Sequence, residues 1–390
     1  MPEPVVVRPV KTKADYQTFL TFPWALYPHH ACWIPPLFSM QKHKFDRAHN
    51  PSWKHMAGEY FLAWRGSKPV GTIAAFINHR HNEIRHEHIG FFGAFEVYED
   101  QEAAAALLNC AAAYVHGQGY DALRGPATFS TNEECGLLIQ GFDDPPAILM
   151  PYNPPYYQTF IENTPGFEQA MDLYSYSLVL PDFQGSKKLE QSFRVTRKNN
   201  ERRHITVRTP QNSREIRHEF RNLQKIYNRA WIDNWGFVPL SEIEIEDVAK
   251  QLSQFLEPRL AFFADVDGKP AGFLMGIPDM NQPLQRAYPR PGKPELLSLL
   301  QVFWHWKLRP KIHRIRIALM GVDPEFQNIG VEGAMFVELL DKLLQLTAEM
   351  HWEFADAGWV LENNQPMRHI VEALGGKPYK RFRFYEKSLT

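Results

Sequence analysis

The stretch Gly321-Val322-Asp323-Pro324-Glu325-Phe326-Gln327-Asn328-Ile329-Gly330-Val331-Glu332-Gly333 decides how this chain is read. It stands between a strand-like run, His313 to Gly321, and a run patterned as a long helix, Val331 to Met350. Pro324 ends the strand because it cannot donate to a ladder. Gly330 permits a backbone conformation or a close approach that a side chain would hinder. The helix then opens with amides that lack intrahelical partners, and these, with a partial positive charge of roughly +0.5, suit a pyrophosphate. On spacing alone, a plain strand-to-helix turn with glycine at a tight spot explains the stretch equally well.

Outward from this loop the chain alternates strands and helices. Leu260 to Val266, the turn Asp267-Gly268-Lys269 and Pro270 to Ile277 read as a hairpin before it. Ser213 to Trp231 reads as a helix with Phe220, Leu223, Tyr227 and Trp231 on one face. Phe354 to Leu361 is a strand, Asn364 to Leu374 a helix ending at Gly375-Gly376, and Pro378 to Glu386 a last strand. The first half repeats the order. Val5 to Pro9 is a strand, Tyr60 to Trp64 and Val70 to Asn78 a hairpin, Ile89 to Val97 a strand and Gln101 to His116 an alanine-rich helix. The repeat is one of architecture, without clear residue identity. Pro181 to Arg203, polar and then basic, is the expected connection, and a boundary near residue 190 gives domains 1–190 and 191–390.

The 390 residues exceed one compact core at about 150 residues per domain. A net charge of -1 argues against a bulk electrostatic grip on nucleic acid or an anionic membrane. Three scattered cysteines, Cys32, Cys110 and Cys135, offer no disulfide framework and no metal-ligand spacing, so a reducing, cytoplasmic setting is expected. No window approaches the roughly 18 consecutive apolar residues of a spanning helix, and Met1 to Val10 lacks a signal-peptide pattern. His79, His81, His86 and His88 with Glu83 and Glu87 match no trusted metal motif, so a solvated loop is expected and no metal is assigned. Lys187 to His204 reads as a solvated linker helix. The apolar run Leu296 to Trp306 reads as a buried helix over a sheet, or else as a channel for a long acyl chain or a lipid-like acceptor.

Val322, Pro324, Gln327 and Gly330 fit the pyrophosphate loop of the GNAT acetyltransferase superfamily, which the chain resembles. Glu332 stands where a small residue is usual, so its carboxylate must face solvent. Asn364 and Gly375 have the spacing of that family's next helix. Further stretches, among them Asn234 to Leu240, Trp359 to Asn364 and Tyr152 to Tyr157, resemble two-domain bacterial GNAT-like proteins over nearly the whole chain. The resemblance implies a mixed α/β fold: two tandem GNAT-like domains, each a mixed, largely antiparallel sheet flanked by helices.

The same resemblance implies an acyl-CoA-dependent N-acyltransferase acting through the second domain, with acetyl-CoA or a longer acyl-CoA as co-substrate. The acceptor is a small-molecule amine or a lipid-like molecule, and a homodimer is left open. It places Met320, Gly321, Val322, Gln327, Asn328, Ile329, Gly330, Val331, Gly333 and Asn364 against the coenzyme. Asn234, Trp235 and Phe237 would cover the acceptor. Glu362 and Asp356 are candidate bases, and Tyr385, with Tyr379, a candidate acid. Val371 stands where the family often has the tyrosine that protonates the departing thiolate, which leaves a non-catalytic acyl-CoA sensor or a scaffold as the rival. In the first half, Tyr98-Glu99-Asp100-Gln101-Glu102 follows the corresponding strand with no glycine and three carboxylates, so no coenzyme site is expected there.

Overall fold

The computed structural model describes residues 3–28, 30–252, 256–309 and 312–390. In chain order the elements are β1 (Val5–Pro9), α1 (Lys13–Leu26), α2 (Phe38–Phe45), β2 (Met56–Arg65), β3 (Lys68–Asn78), α3 (His79–Arg85), β4 (Ile89–Val97), α4 (Gln101–Gly117), β5 (Ala122–Gly125) and β6 (Leu137–Gln140). There follow α5 (Tyr156–Glu162), β7 (Phe167–Val179), α6 (Lys187–Arg202), β8 (Ile205–Arg208), α7 (Ser213–Trp231), α8 (Glu242–Leu252), β9 (Ala261–Val266), β10 (Lys269–Pro278) and α9 (Asn281–Ala287). The last are α10 (Glu295–Phe303), β11 (Arg314–Val322), α11 (Val331–Met350), β12 (Phe354–Leu361), α12 (Gln365–Ala373) and β13 (Lys377–Ser388). The chain packs as two compact units that are not contiguous in sequence. The first takes the chain up to Leu173 with Leu284–Phe303 and Lys380–Thr390, and the second takes Tyr174–Pro283 and Trp304–Tyr379.

In the first unit β1, β2, β3 and β4 form an antiparallel run, and β4 pairs parallel with β5. The chain's last strand returns to this unit, Tyr385 opposite Gly125, and its residues Arg381 to Arg383 pair with β6. Helix α4 covers the sheet through Ala103, Ala104, Leu107, Leu108, Ala111 and Val115, a stripe at helical spacing that is fully buried. Its alanines let the helix lie close, and Gly71 admits Leu107, whose Cδ1 would sit 2.7 Å from any added Cβ.

In the second unit β8, β9, β10 and β11 run antiparallel, and β12 joins β11 in parallel. Strand alternation divides the core into two layers. Phe262, Ala264 and Val266 of β9 join Leu274 of β10 in one cluster with Val331, Ala334, Met335, Leu339 and Leu343 of α11. Ala261 and Phe263 join Phe273 and Met275 in another with Ile216, Leu223, Ile226 and Tyr227 of α7. Each unit is thus a mixed sheet flanked by helices, as the repeat in the sequence implies.

Two expectations are corrected by the packing. The histidine-rich segment 79–88 begins with helix α3 and is not a solvated loop: His81 is buried, with its Nε2 2.7 Å from Glu87, which also takes Arg124 at 2.8 Å. Burial lowers the His81 pKa, and no group able to hold a metal ion occurs among the described residues. The apolar run 296–303 is not a buried helix. Leu296, Leu297, Leu299, Leu300 and Phe303 of α10 are exposed, while Ser298 and Val302 face inward.

Candidate active site

The second unit holds the loop between β11 and α11. Parallel pairing of β11 with β12 covers Arg314 to Ile317 against Phe354 to Ala357 and stops there. The ends 318–322 and 358–361 are therefore unpaired with each other, and Ala318, Leu319 and Met320 are only partly buried although they lie in an inner strand. On its other edge β11 pairs with β10 up to Gly272 opposite Val322, and the Asp323 amide donates to Ala271 at 2.8 Å. Antiparallel bonding alternates, so from Asp323 backwards Met320 and Val322 turn their backbone groups away from β10. Their carbonyls accept from side chains instead: Trp231 Nε1 reaches Met320 at 2.8 Å and Gln327 Nε2 reaches Val322 at 3.2 Å.

Helix α11 opens at Gly330, with φ of 98° and no side-chain cap. That left-handed conformation is costly for any residue with a Cβ. No side chain caps that turn, and the amides of residues 331–333 open the helix, where no intrahelical partner is available. A Cβ added at Gly333 would meet nothing within 4 Å, so the first turn is open on that side. Glu332 is partly exposed there. The loop's other carboxylates are engaged: Arg229 lies 3.0 Å from Asp323 and 3.2 Å from Glu325, and Asp323 Oδ1 also takes the Glu325 amide. Arg203, exposed at the end of α6, donates to the Ile329 carbonyl, and its Nη1 would lie 3.3 Å from a Cβ at Gly330. A cation therefore stands beside the uncapped turn. Sequence reading missed Arg203 because it lies some 125 residues from the loop in the chain, inside a run that reads as a solvated helix.

The other sequence candidates fall in different settings. Asn364 caps α12, its Oδ1 accepting the Met367 amide at 3.2 Å, so that oxygen is committed. Glu362 is partly buried at the end of β12, where its main-chain carbonyl is held by Arg368 and Gln365 at 3.1 and 3.0 Å. Asp356 is fully buried. It accepts from Ser175 Oγ at 2.8 Å and from the Tyr379 hydroxyl, and Arg316 Nε lies 3.8 Å away. Arg316 also donates to the Gly358 carbonyl at 3.1 Å. Tyr385 lies in the core of the first unit and donates to Glu162 at 2.8 Å; burial and that carboxylate raise its pKa. It is a packing residue there. Phe237 is buried against Tyr227 and Trp231, so the aromatic anchor of its turn faces the core, while Asn234 and Trp235 stay partly exposed. The turn is pinned by Asn228, which exchanges two hydrogen bonds with Leu240 at 2.9 and 3.0 Å.

The first unit offers a contrast. Asp100 caps α4, accepting the Ala103 amide at 3.1 Å, and Arg65 binds both Asp100 and Glu102 at 2.7 Å. This helix start is closed by its own carboxylates. Just before it, Glu96 is partly buried and held by the hydroxyls of Tyr27 at 2.6 Å and Tyr157 at 2.9 Å. Burial lifts its pKa to about 7 against the lowering by both tyrosines. A lone glutamate at a strand end gives no sequence sign of this.

No protein-family model matches the chain. It is 31% identical over 384 residues to Protein YghO of Escherichia coli strain K12, covering 98% of this chain and 95% of that protein. It is 32% identical over 385 residues to a protein named Bacterial ceramide synthase from Caulobacter vibrioides, covering 98% and 97%. Among solved structures it is similar to a tandem GNAT protein from the clavulanic acid biosynthesis pathway, with 13% identity, 99% of each chain and a TM-score of 0.53. It is also similar to a GCN5-related glucosamine N-acetyltransferase region of a fungal multi-domain β-N-acetylglucosaminidase, at 14% identity, 99% of this chain, 38% of that one and a TM-score of 0.55. The two structural likenesses speak for the fold, a tandem GNAT-like one, and the two sequence relatives for the family: the chain belongs to the family that includes YghO and the Caulobacter protein named Bacterial ceramide synthase.

Proposed function

We propose that this protein transfers a long acyl group from acyl-CoA to the amine of a long-chain, lipid-like acceptor, using the site of the second unit. The observation that carries acyl-CoA binding is the uncapped start of α11 beside strand ends that part after Ile317 and Ala357. Amides at a helix start suit a pyrophosphate, and Arg203 adds a cation. The name of the Caulobacter relative supports the acceptor class, since a ceramide is the amide of a fatty acid and a long-chain amino alcohol.

In this reading the neutral amine attacks the thioester carbonyl, the C–S bond breaks and the coenzyme leaves as a thiolate that takes up a proton. The Met320 and Val322 amides, turned away from β10, support the oxyanion. Glu362, on the partly open end of β12, takes the amine's proton; Asp356 is engaged by Ser175, Tyr379 and Arg316 and serves to hold β12. Domain 1–190 binds no coenzyme in this reading, because Asp100 closes the start of α4.

Calorimetric titration with palmitoyl-CoA, acetyl-CoA and desulfo-CoA tests the binding half. Thiol release from palmitoyl-CoA with sphinganine, compared with short water-soluble amines, tests the acceptor half. Release with sphinganine well above that with short amines is expected. Absence of heat with every coenzyme overturns the site, and binding without release under any amine makes the protein a sensor.

A further inference from the structure

We infer that helix α10 is a membrane-surface anchor, laying its apolar face on an anionic lipid bilayer. On soluble domains an amphipathic helix buries its apolar stripe and shows its polar one. Helix α10 is reversed. At about 100° per residue, Leu296, Leu297, Leu299, Leu300 and Phe303 fan over an arc of roughly 160°. All five are exposed, Leu296 at 66% and Leu300 at 57%, while Ser298 and Val302 occupy the buried face. A contiguous apolar surface of this kind marks an interaction site.

The helix is held firmly in this orientation. Glu295 accepts the Ser39 amide at 2.8 Å and the Ser39 hydroxyl at 2.5 Å. The segment before it is tied to the same unit by Trp24 Nε1 on the Pro289 carbonyl at 2.7 Å, Tyr288 on the Tyr27 carbonyl at 3.2 Å and Gln285 on the Ala31 carbonyl at 2.6 Å. The apolar face is therefore presented by built contacts.

Charge selects the occupant. Between residues 284 and 303, the part of the first unit that carries this helix, there are three cations, Arg286, Arg290 and Lys293, and one anion, Glu295. All three cations are exposed, whereas Glu295 is engaged by Ser39. This local excess stands on a protein whose net charge is -1. Leucines and a phenylalanine on one exposed face, with basic residues leading into the helix, match a helix lying in a bilayer interface and drawn to anionic headgroups. A second copy of this chain would bring like charges together around the same patch. No helix of the described residues is long and apolar enough to cross a membrane. The inference holds whether or not the transferase reading does.

The test is co-sedimentation of the full chain with vesicles of phosphatidylglycerol and phosphatidylcholine in equal parts, beside vesicles of phosphatidylcholine alone. Binding to the anionic vesicles that falls as salt rises is expected. The double variant Leu296→Ser with Leu300→Ser, altered only at exposed positions, should lose at least roughly tenfold in vesicle affinity with its melting temperature retained. Arg290→Gln with Lys293→Gln should lose roughly tenfold or more on anionic vesicles. Wild-type protein that stays in the supernatant, or binding that is the same in the serine variant, overturns the inference. So does a dimer in light scattering that the serine variant abolishes while vesicles are ignored, since the face would then belong to a second copy.

Discussion

Trp231 donates its indole N–H to the Met320 carbonyl at 2.8 Å, on the edge of β11 that has already lost its ladder to β12. The bond steadies a strand end that pairs only with β10 and whose neighbouring amide is proposed to support the oxyanion. Trp231→Phe keeps the ring and deletes the donor. Unfolding in urea should show a loss of about 1 kcal/mol, the net value of one such bond. The rate of thiol release should fall by more than coenzyme affinity does. Equal losses in rate and affinity would remove Met320 from the transition state and leave it a binding contact.

The turn at Gly330 separates backbone strain from charge. Gly330→Ala must carry a Cβ at φ 98°, 3.3 Å from Arg203 Nη1, and should cost about 1–2 kcal/mol of stability. Gly330→Asp adds an anion beside the uncapped amides and should abolish coenzyme binding in calorimetry. Arg203→Ala keeps Gly330 in place but removes the donor to the Ile329 carbonyl, and it should weaken binding several-fold, more so at low salt, where a cation-phosphate contact is least screened. Unchanged affinity in Gly330→Asp would place the coenzyme elsewhere.

Much of this was legible in the sequence because it is local. Pro324 and Gly330 bracket a loop by covalent geometry, and α11 begins at Val331 and ends at Met350 as its pattern requires. Val371 is buried in the core of the second unit. What stayed hidden depends on which surfaces meet. The leucines of α10 have the composition of a core helix, and hydrophobicity alone does not say that nothing covers them. Arg203 and Ile329 are distant in sequence, so their contact has no periodic trace. Tyr385 reads as a strand tyrosine near the site, yet β13 carries it into the first unit opposite Gly125.

Asp356 and Arg316 stand opposite each other in the β11–β12 register, both buried. Asp356→Ala leaves a guanidinium without its carboxylate and removes the acceptor of Ser175 and Tyr379. A loss of about 3–5 kcal/mol is expected. Asp356→Asn keeps the shape and one acceptor oxygen and should lose less. Chemical denaturation measures both. Full stability in either variant combined with lost transfer would make Asp356 the base in place of Glu362.

Glu96 should give the protein a pH dependence whose sign follows from its raised pKa. Its pKa is about 7 in the fold against an ordinary 4.5, chiefly through burial. Between those values the native protein holds a proton that the unfolded chain has released, so stability falls as pH rises through this window. The contribution is complete below 4.5 and gone above 7, and it amounts to about 3 kcal/mol at most. Glu87 works in a lower window: burial opposes it, but His81 and Arg124 hold it near 2, and stability from it is lost only as pH falls below 4.5. Urea midpoints at pH 5 and pH 7.5 should therefore differ more in the wild type than in Glu96→Gln, which cannot titrate. An equal difference in both proteins would mean that Glu96 is already ionised at pH 5. The hydroxyls of Tyr27 and Tyr157 would then outweigh its burial, and Glu96 would be a fixed anion with no proton to exchange near neutrality.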